Sequence, residues 1–258
     1  MMHPMVTFIS DDGKHEDWTV LKPAFENAGA PCVIAVTSGL IGSPGYMNDE
    51  QIGFLQNSLG WEVTSHLDSH VALTELSEQE IDRQFRVSKD KLQALGYRVT
   101  SVVYPYGANN AVVREIARKY YQSGFQSVGG INAKRVKRYH INRVAIGSYF
   151  DFGNDVDTGS FTYYKARVDE ALHSRAWLVF MIHPAASEHD DKQQQALIET
   201  LDYIRSRKIP IVTVEQGLRS LADGTGKITI DRDTWLRKIA DKLRHRLKLI
   251  YFFIANDS

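Results

Sequence analysis

Eight short β-rich runs recur along the chain with room for a helix between most neighbours, and this alternation limits the fold more than any other feature. They are MVTFI (5–9), PCVIAV (31–36), WEVTS (61–65), VTSVVYP (99–105), SGFQSVG (123–129), INRVAI (141–146), WLVFMI (177–182) and IPIVTV (209–214). Helical patterns lie between them. Asp17 reads as an N-cap before WTVLKPAFENAG, with Pro23 kinking or delaying that helix and Gly29 ending it. Ser77 and Glu80 form a capping-box pattern at the head of residues 77–96, which again end in glycine. NAVVREIARKYY and KQQQALIETLDYIRSRK continue the series. Strands alternating with helices predict an α/β fold of βα units around a parallel sheet, and seven or eight strands at this length suit a closed barrel. Reactive groups of such barrels sit at the C-terminal ends of the strands.

That rule selects four places. MVTFI runs into Ser10-Asp11-Asp12-Gly13, WEVTS into His66 and His70, VTSVVYP into Tyr106-Gly107, and WLVFMI into His183. Taken singly, each has an ordinary explanation: Asp-Asp-Gly is a common turn, and a lone pair of histidines is more often core than ligand. The spacing of His66 and His70 decides what they can share. On a helical turn their Cα atoms lie about 6 Å apart, whereas in a strand they lie about 13 Å apart. A common ion therefore predicts helical curvature from His66, plus a third ligand such as a carboxylate. Two His and one carboxylate with open positions suit Zn²⁺, Fe²⁺, Co²⁺ and similar ions. No Glu stands where a zincin helix needs one.

Composition removes other classes. Lys+Arg and Asp+Glu both number 31 among 258 residues, a neutral balance that argues against a dedicated nucleic-acid binder. No apolar run reaches the length of a transmembrane span. Cys32 is the single cysteine and lies in an apolar run, so a Cys-rich metal site is excluded. MMHPMVTFIS has neither a basic n-region nor an apolar h-region. The expectation is a cytoplasmic protein as encoded, or an extracellular or cell-surface one if the chain is truncated or exported otherwise. Beyond Leu221 the texture changes. Residues 1–222 read as the barrel and 223–258 as a linker, ADGTGK, with a C-terminal amphipathic helix. Its apolar positions Leu236, Ile239, Ala240, Leu243, Leu247 and Ile250 follow helical spacing, and residues 232–248 hold seven Lys/Arg against two Asp. It is read either as a surface or self-association helix or as a terminal helix packed on the barrel.

Together, TFISDDG, EVTSHLDSH with LTELSEQEI, YPYG and LVFMIHP, in this order over residues 5–220, resemble the metal-dependent polysaccharide deacetylases of carbohydrate esterase family 4. The resemblance implies a distorted (β/α) barrel with about seven parallel strands that removes acetyl groups from an N-acetylated glycan or amino-sugar conjugate. It implies Asp12, His66 and His70 as ligands of a divalent metal, foremost Zn²⁺, with Co²⁺, Ni²⁺ or Fe²⁺ as alternatives. Asp11 would be the general base and His183 the general acid, while Tyr106 would offer its backbone N–H to the oxyanion. Tyr104, Pro105, Gly107, Met181 and Ile182 would line the substrate pocket, the last two beside the acetyl methyl. This sequence departs from the family pattern in its third motif, where Val103 stands in place of the Arg that pairs with the base, and in lacking the Asp/Trp motif that orients the catalytic His. Asp151, Asp155 and Asp157 are candidates for that orienting Asp. Arg143 is a candidate either for tuning charge at the site or for a structural ion pair. Two further readings stay open: a glycan-binding protein without strong activity on the same scaffold, and an O-acetyl esterase.

Overall fold

The computed structural model describes residues 3–133, 135–147, 157–187, 189–223 and 227–229. Seven parallel strands close a barrel: β1 (Met5–Ser10), β2 (Val33–Val36), β3 (Glu62–Ser65), β4 (Ser101–Val103), β5 (Ser123–Gly129), β7 (Ile141–Ala145) and β8 (Trp177–Ile182). Helices α1 (Lys22–Ala28), α2 (Asp49–Leu59), α3 (Glu78–Ala94), α4 (Ala111–Ala117), α5 (Phe161–Ser174), α6 (Asp191–Ser206) and α7 (Val214–Asp223) surround it. Strands covered on both faces read as unbroken apolar runs, and all six residues of β1 and of β8 are buried. Aromatic stacking ties sheet to helix layer: Phe8 of β1 stacks on Phe180 of β8 at 5.1 Å and meets Phe25 of α1 edge-on at 5.3 Å.

Closure is uneven. β1 pairs with β8 over its whole length, from Met5 opposite Trp177 to Ser10 opposite Ile182, but meets β2 only at Ile9 and Ser10. The lower half of β1 is left free on that side, and the eighth β-rich run fills the breach without becoming a strand. Val6 donates its N–H to Pro210, Val212 donates to Val6, and the Thr7 hydroxyl donates to the Val212 carbonyl. Ile211 makes a single bridge to Val6, and Val214 already opens α7. Seven strands is therefore the number, and residues 209–214 are a plug. Two short strands escaped the sequence reading: β6 (Arg135–Lys137) pairs in parallel with β9 (Lys227–Thr229), residues that the sequence reading grouped with the C-terminal segment. The amphipathic helix read over residues 232–250 lies outside the described residues, as do Asp151 and Asp155. Among the described residues no helix is long and apolar enough to cross a membrane.

Ser77 caps α3 as its sequence predicts, accepting the N–H of Glu80 at 3.3 Å. Asp17 does not cap. It is fully buried at the start of a π-helical turn (Asp17–Leu21) that precedes α1, and its carboxylate takes the Ser10 hydroxyl instead. The cap pattern misleads here because the segment is pressed against the barrel top, where tertiary burial overrides the local preference.

Glu62, at the start of β3, accepts the N–H of Glu215 from the first turn of α7 at 2.8 Å. Burial pushes its carboxyl up to about 7, against the hydrogen bonds from Glu215 and Thr213 that favour the anion. The folded value lies above the ordinary 4.5, so this group's stabilising contribution is complete below 4.5 and is lost as pH rises through 7. Glu62→Gln is expected to exceed wild type by about 1–2 kcal/mol at pH 8 and to match it at pH 4. Urea midpoints at the two pH values check this, and an equal difference at both would contradict it.

Candidate active site

The polar groups converge at the C-terminal mouth of the barrel. Asp11 continues β1 by one more bond, donating its N–H to Ile182 at 2.9 Å. The chain then turns through Asp12 (φ 80°) and Gly13 (φ 76°), so the two carboxylates leave the strand in different directions. On the β3 side, His66 donates its N–H to Val36, and the next residue, Leu67, takes a left-handed conformation at φ 69°. No helix begins there. The curvature that brings His70 back beside His66 is a bend through Leu67, which replaces the predicted helical turn. A leucine at positive φ is costly and needs surroundings that enforce it.

Those surroundings are dense. Ser38 and Gly39 donate their N–H groups to the carbonyls of Leu67 and Asp68, both at 2.9 Å. Any Cβ on Gly39 would sit 2.5 Å from the Asp68 carbonyl oxygen, so only glycine allows that approach. Gln84 of α3, nearly fully buried, clasps Ser69: its Oε1 accepts the Ser69 N–H and its Nε2 donates to the Ser69 hydroxyl, each at 3.0 Å. Lys91 holds Asp68 at 2.7 Å, so the acid between the two histidines serves the bend and faces away from them. Ser65 accepts the Leu67 N–H and meets Ser88 of α3 and the Tyr121 hydroxyl.

Asp12, His66 and His70 place one ligand atom each within 4.8 Å of one another. Asp12 Oδ1 lies 3.4 Å from His66 Nε2 and 3.3 Å from His70 Nε2, and it is buried without a hydrogen-bond donor among the described residues. The far nitrogen of His66 donates to the Val103 carbonyl at 2.9 Å, which leaves a lone pair on Nε2. His70 Nδ1 pairs with the Tyr106 hydroxyl at 3.0 Å. A carboxylate oxygen and an imidazole lone pair thus point at one another, an arrangement that repels unless a cation lies between. The donor set of two nitrogens and one oxygen fits a divalent metal. Val103, where the family pattern has Arg, contributes its main chain to the site through this bond.

The charged partner of Asp11 comes from elsewhere. Arg143 of β7 binds both carboxylate oxygens, at 2.7 and 2.9 Å, with both side chains nearly inaccessible. A third bond, from Arg143 Nε to the Gln126 carbonyl at 2.6 Å, fixes the guanidinium plane. Burial raises the Asp11 carboxyl, and Arg143, His183 and His66 outweigh it, holding Asp11 below the usual carboxylate range. His183 follows β8, with Nε2 3.6 Å from Asp11 Oδ2. Burial pulls its imidazole below the ordinary value against the opposing carboxylates of Asp11 and Asp12. Once protonated it is correspondingly a stronger acid.

A cavity of about 390 Å³ is lined by Asp11, Asp12, His66, His70, Tyr106, Gly107, Ser127, Arg143, Met181 and His183. All six residues expected to hold metal or act on substrate line it. Of the expected substrate residues, Gly107 and Met181 line it and three do not: Tyr104 is buried beneath with its hydroxyl on the Tyr139 carbonyl, and Pro105 and Ile182 are buried behind the wall. Asp157 is exposed, accepts the Gly159 N–H and faces Lys192, a loop role away from the cavity. Ser127 is a lining residue that the sequence reading missed. A Cβ on Gly107 (φ 66°) would collide with Ser127 Oγ at 2.2 Å, and nothing in local sequence reveals that approach.

Part of the sequence and the barrel as a whole are similar to known proteins. Residues 2–123 match a family model described as polysaccharide deacetylase. The matched stretch, a little under half of the chain, holds Asp11, Asp12, His66, His70 and Tyr106. The barrel is similar to the Xyl-CE4 domain of a multidomain xylanase from the hindgut metagenome of Trinervitermes trinervoides, at 17% identity over 85% of this chain and 92% of that one, TM-score 0.59. It is likewise similar to a family 4 carbohydrate esterase from Streptomyces lividans in complex with acetate, at 15% identity over 89% and 99%, TM-score 0.57. A third similar structure is a mutant of a CE4 family pseudoenzyme with restored enzymatic activity, at 14% identity over 84% and 68%, TM-score 0.57. At such identities the likeness is one of fold. No curated protein matched the chain by sequence. His183 and Arg143 lie beyond the matched residues 2–123, and the barrel's closure brings them to Asp11.

Proposed function

We propose that this chain is a metal-dependent hydrolase that removes N-acetyl groups from a polysaccharide or amino-sugar conjugate. The observation that carries the reading is the Asp12 oxygen facing two imidazole nitrogens at 3.4 and 3.3 Å, with a bidentate Asp11–Arg143 pair and His183 around the same cavity. Asp12, His66 and His70 would hold the ion, with Zn²⁺ the best match to the donor set and Co²⁺, Ni²⁺ or Fe²⁺ compatible with it. When bound, the ion supplies Lewis-acid polarisation of the acetyl carbonyl and acidifies water.

The chain's own residues do the rest. Arg143 keeps Asp11 ionised and fixed in direction, so that Asp11 accepts the proton of the attacking water. The Tyr106 backbone N–H donates to the carbonyl oxygen as it gains charge. His183 delivers a proton to the leaving nitrogen, which cannot depart as an amide anion. Met181 offers apolar surface to the acetyl methyl. The non-catalytic reading drew on Val103 in the Arg position, the lacking Asp/Trp motif and the basic C-terminal segment; Arg143, which binds Asp11 from another strand, answers the first of these in favour of the enzyme.

Acetate release from a panel of N- and O-acetylated glycans after metal reconstitution tests the proposal. Release from N-acetylated glycans is expected. His183→Ala should slow amide cleavage by about 100-fold or more, while ester cleavage, with its better leaving group, is little affected. Binding of these glycans without acetate release under any of the four metals would contradict the hydrolase. Gln84→Leu is expected to weaken metal binding about 10-fold by loosening the bend that carries His70. Calorimetric metal titration checks this, and an unchanged affinity would show that the clasp is dispensable.

A further inference from the structure

The end of the barrel where the strands begin, opposite the mouth, carries a surplus of positive charge. Strand β6 lies there: the Arg138 carbonyl just after it takes the Gly124 N–H at the start of β5, and Val136 joins the apolar cluster of Met5, Trp177 and Leu218. Because neighbours in a strand alternate, burying Val136 turns Arg135 and Lys137 outward, and both are exposed. Among the described residues Arg135, Lys137 and Arg138 have no carboxylate partner. On the same rim Arg98 and Arg219 share the one carboxylate of Glu215, at 2.9 and 2.7 Å, and Arg207 and Lys208 are exposed at the end of α6. Cations at helix C-termini offset the helix dipole. The dipole accounts for Arg207 and Lys208 but not for β6, which ends no helix.

β9 brings the rest of the chain to this face. It pairs in parallel with β6, Thr229 opposite Lys137, so the sequence beyond Thr229 starts beside these three cations. That sequence is itself cationic, with seven Lys/Arg against two Asp over residues 232–248, and it runs into LIYFFIA at 249–255. Like charges oppose packing a cationic segment onto a cationic face, and one anionic partner relieves both. A soluble polyanion would satisfy the charge alone. The apolar run asks for more: it is too short to cross a bilayer, and its three aromatic residues suit the boundary between headgroups and acyl chains. We propose that the strand-start face and the sequence beyond Thr229 together dock the protein on an anionic lipid bilayer. The mouth lies at the other end of the barrel, so a protein held this way presents its catalytic cavity away from the lipid.

Vesicle sedimentation with the full-length chain tests this. Vesicles containing roughly a third phosphatidylglycerol should bind it at least about 10-fold more tightly than phosphatidylcholine alone, and raising NaCl from about 0.1 M to about 0.5 M should remove most of that preference. The triple variant Arg135→Gln, Lys137→Gln, Arg138→Gln should lose about 10-fold or more in vesicle affinity, with its unfolding midpoint and circular dichroism unchanged. Phe252→Ser with Phe253→Ser should lose about 10-fold on vesicles, while binding of soluble polyglutamate stays as in wild type. Equal binding to both kinds of vesicle would overturn the proposal, as would a folded triple variant that binds them like wild type. Vesicle binding indifferent to Phe252→Ser with Phe253→Ser would leave charge alone at work, assign the face to a soluble polyanion and overturn the bilayer.

Discussion

Asp12→Ala is expected to abolish acetate release and to lower metal affinity by more than about 100-fold, beyond what loss of an outer partner costs. The three candidate ligand atoms lie within 4.8 Å of one another, and removing the carboxylate leaves two neutral imidazoles without the anion that offsets the ion's charge. Asp11→Asn supplies the contrast. Its neighbouring side chain points instead at Arg143 and His183, so the variant should keep its metal and lose turnover by roughly 10²- to 10⁴-fold, the range of a missing general base. Metal content measured beside activity separates the two. An Asp12→Ala protein that retains stoichiometric metal, or an Asp11→Asn protein with full activity, would remove the roles given to these residues.

Arg143→Met should be the most damaging substitution for folding among the site residues. It strips the partner from a carboxylate that is 3% exposed, and breaking a buried pair from one side costs about 3–5 kcal/mol. The loss should be partly recovered in the double variant Arg143→Met with Asp11→Leu, which buries no charge. Arg143→Lys should not recover it, because an ammonium cannot span both oxygens as the guanidinium does. Thermal unfolding of wild type, Arg143→Met, Asp11→Leu and the double variant gives the coupling directly. A double variant no more stable than Arg143→Met alone would show that the pair is not what Arg143 contributes.

The strands were legible because buried parallel strands write themselves as apolar runs, and the ends of those runs pointed to Asp11, Asp12, His66, His70, Tyr106 and His183. What stayed hidden depends on closure. Residues 209–214 have the composition of a strand, but whether they pair is decided by how far β1 and β2 diverge, which no local pattern records. The bend at Leu67 was read as helical from spacing alone, since a left-handed leucine is locally unfavourable and exists only because Gly39, Gln84 and Ser65 enforce it. Arg143 was visible as a charge inside the run INRVAI, yet its choice of Asp11, 132 positions away, is a fact of topology. Tyr104 was misplaced for a simpler reason: its neighbour Tyr106 faces the mouth while Tyr104 faces the core.

The pairing of β1 with β8 also has a consequence for synthesis. The chain leaves the ribosome with β1 first, and that strand must wait for residues 177–182 before its main ladder can form. Until residue 143 is made Asp11 has no guanidinium to meet, and until residue 177 the apolar edge of β1 has only a two-residue contact with β2 to cover it. The half of the chain that matches the family model is therefore a poor folding unit by itself. A fragment ending near residue 123 should be aggregation-prone and unable to hold its site together, although it contains every proposed metal ligand. The barrel is completed by its last strand, and only then does it become an enclosure.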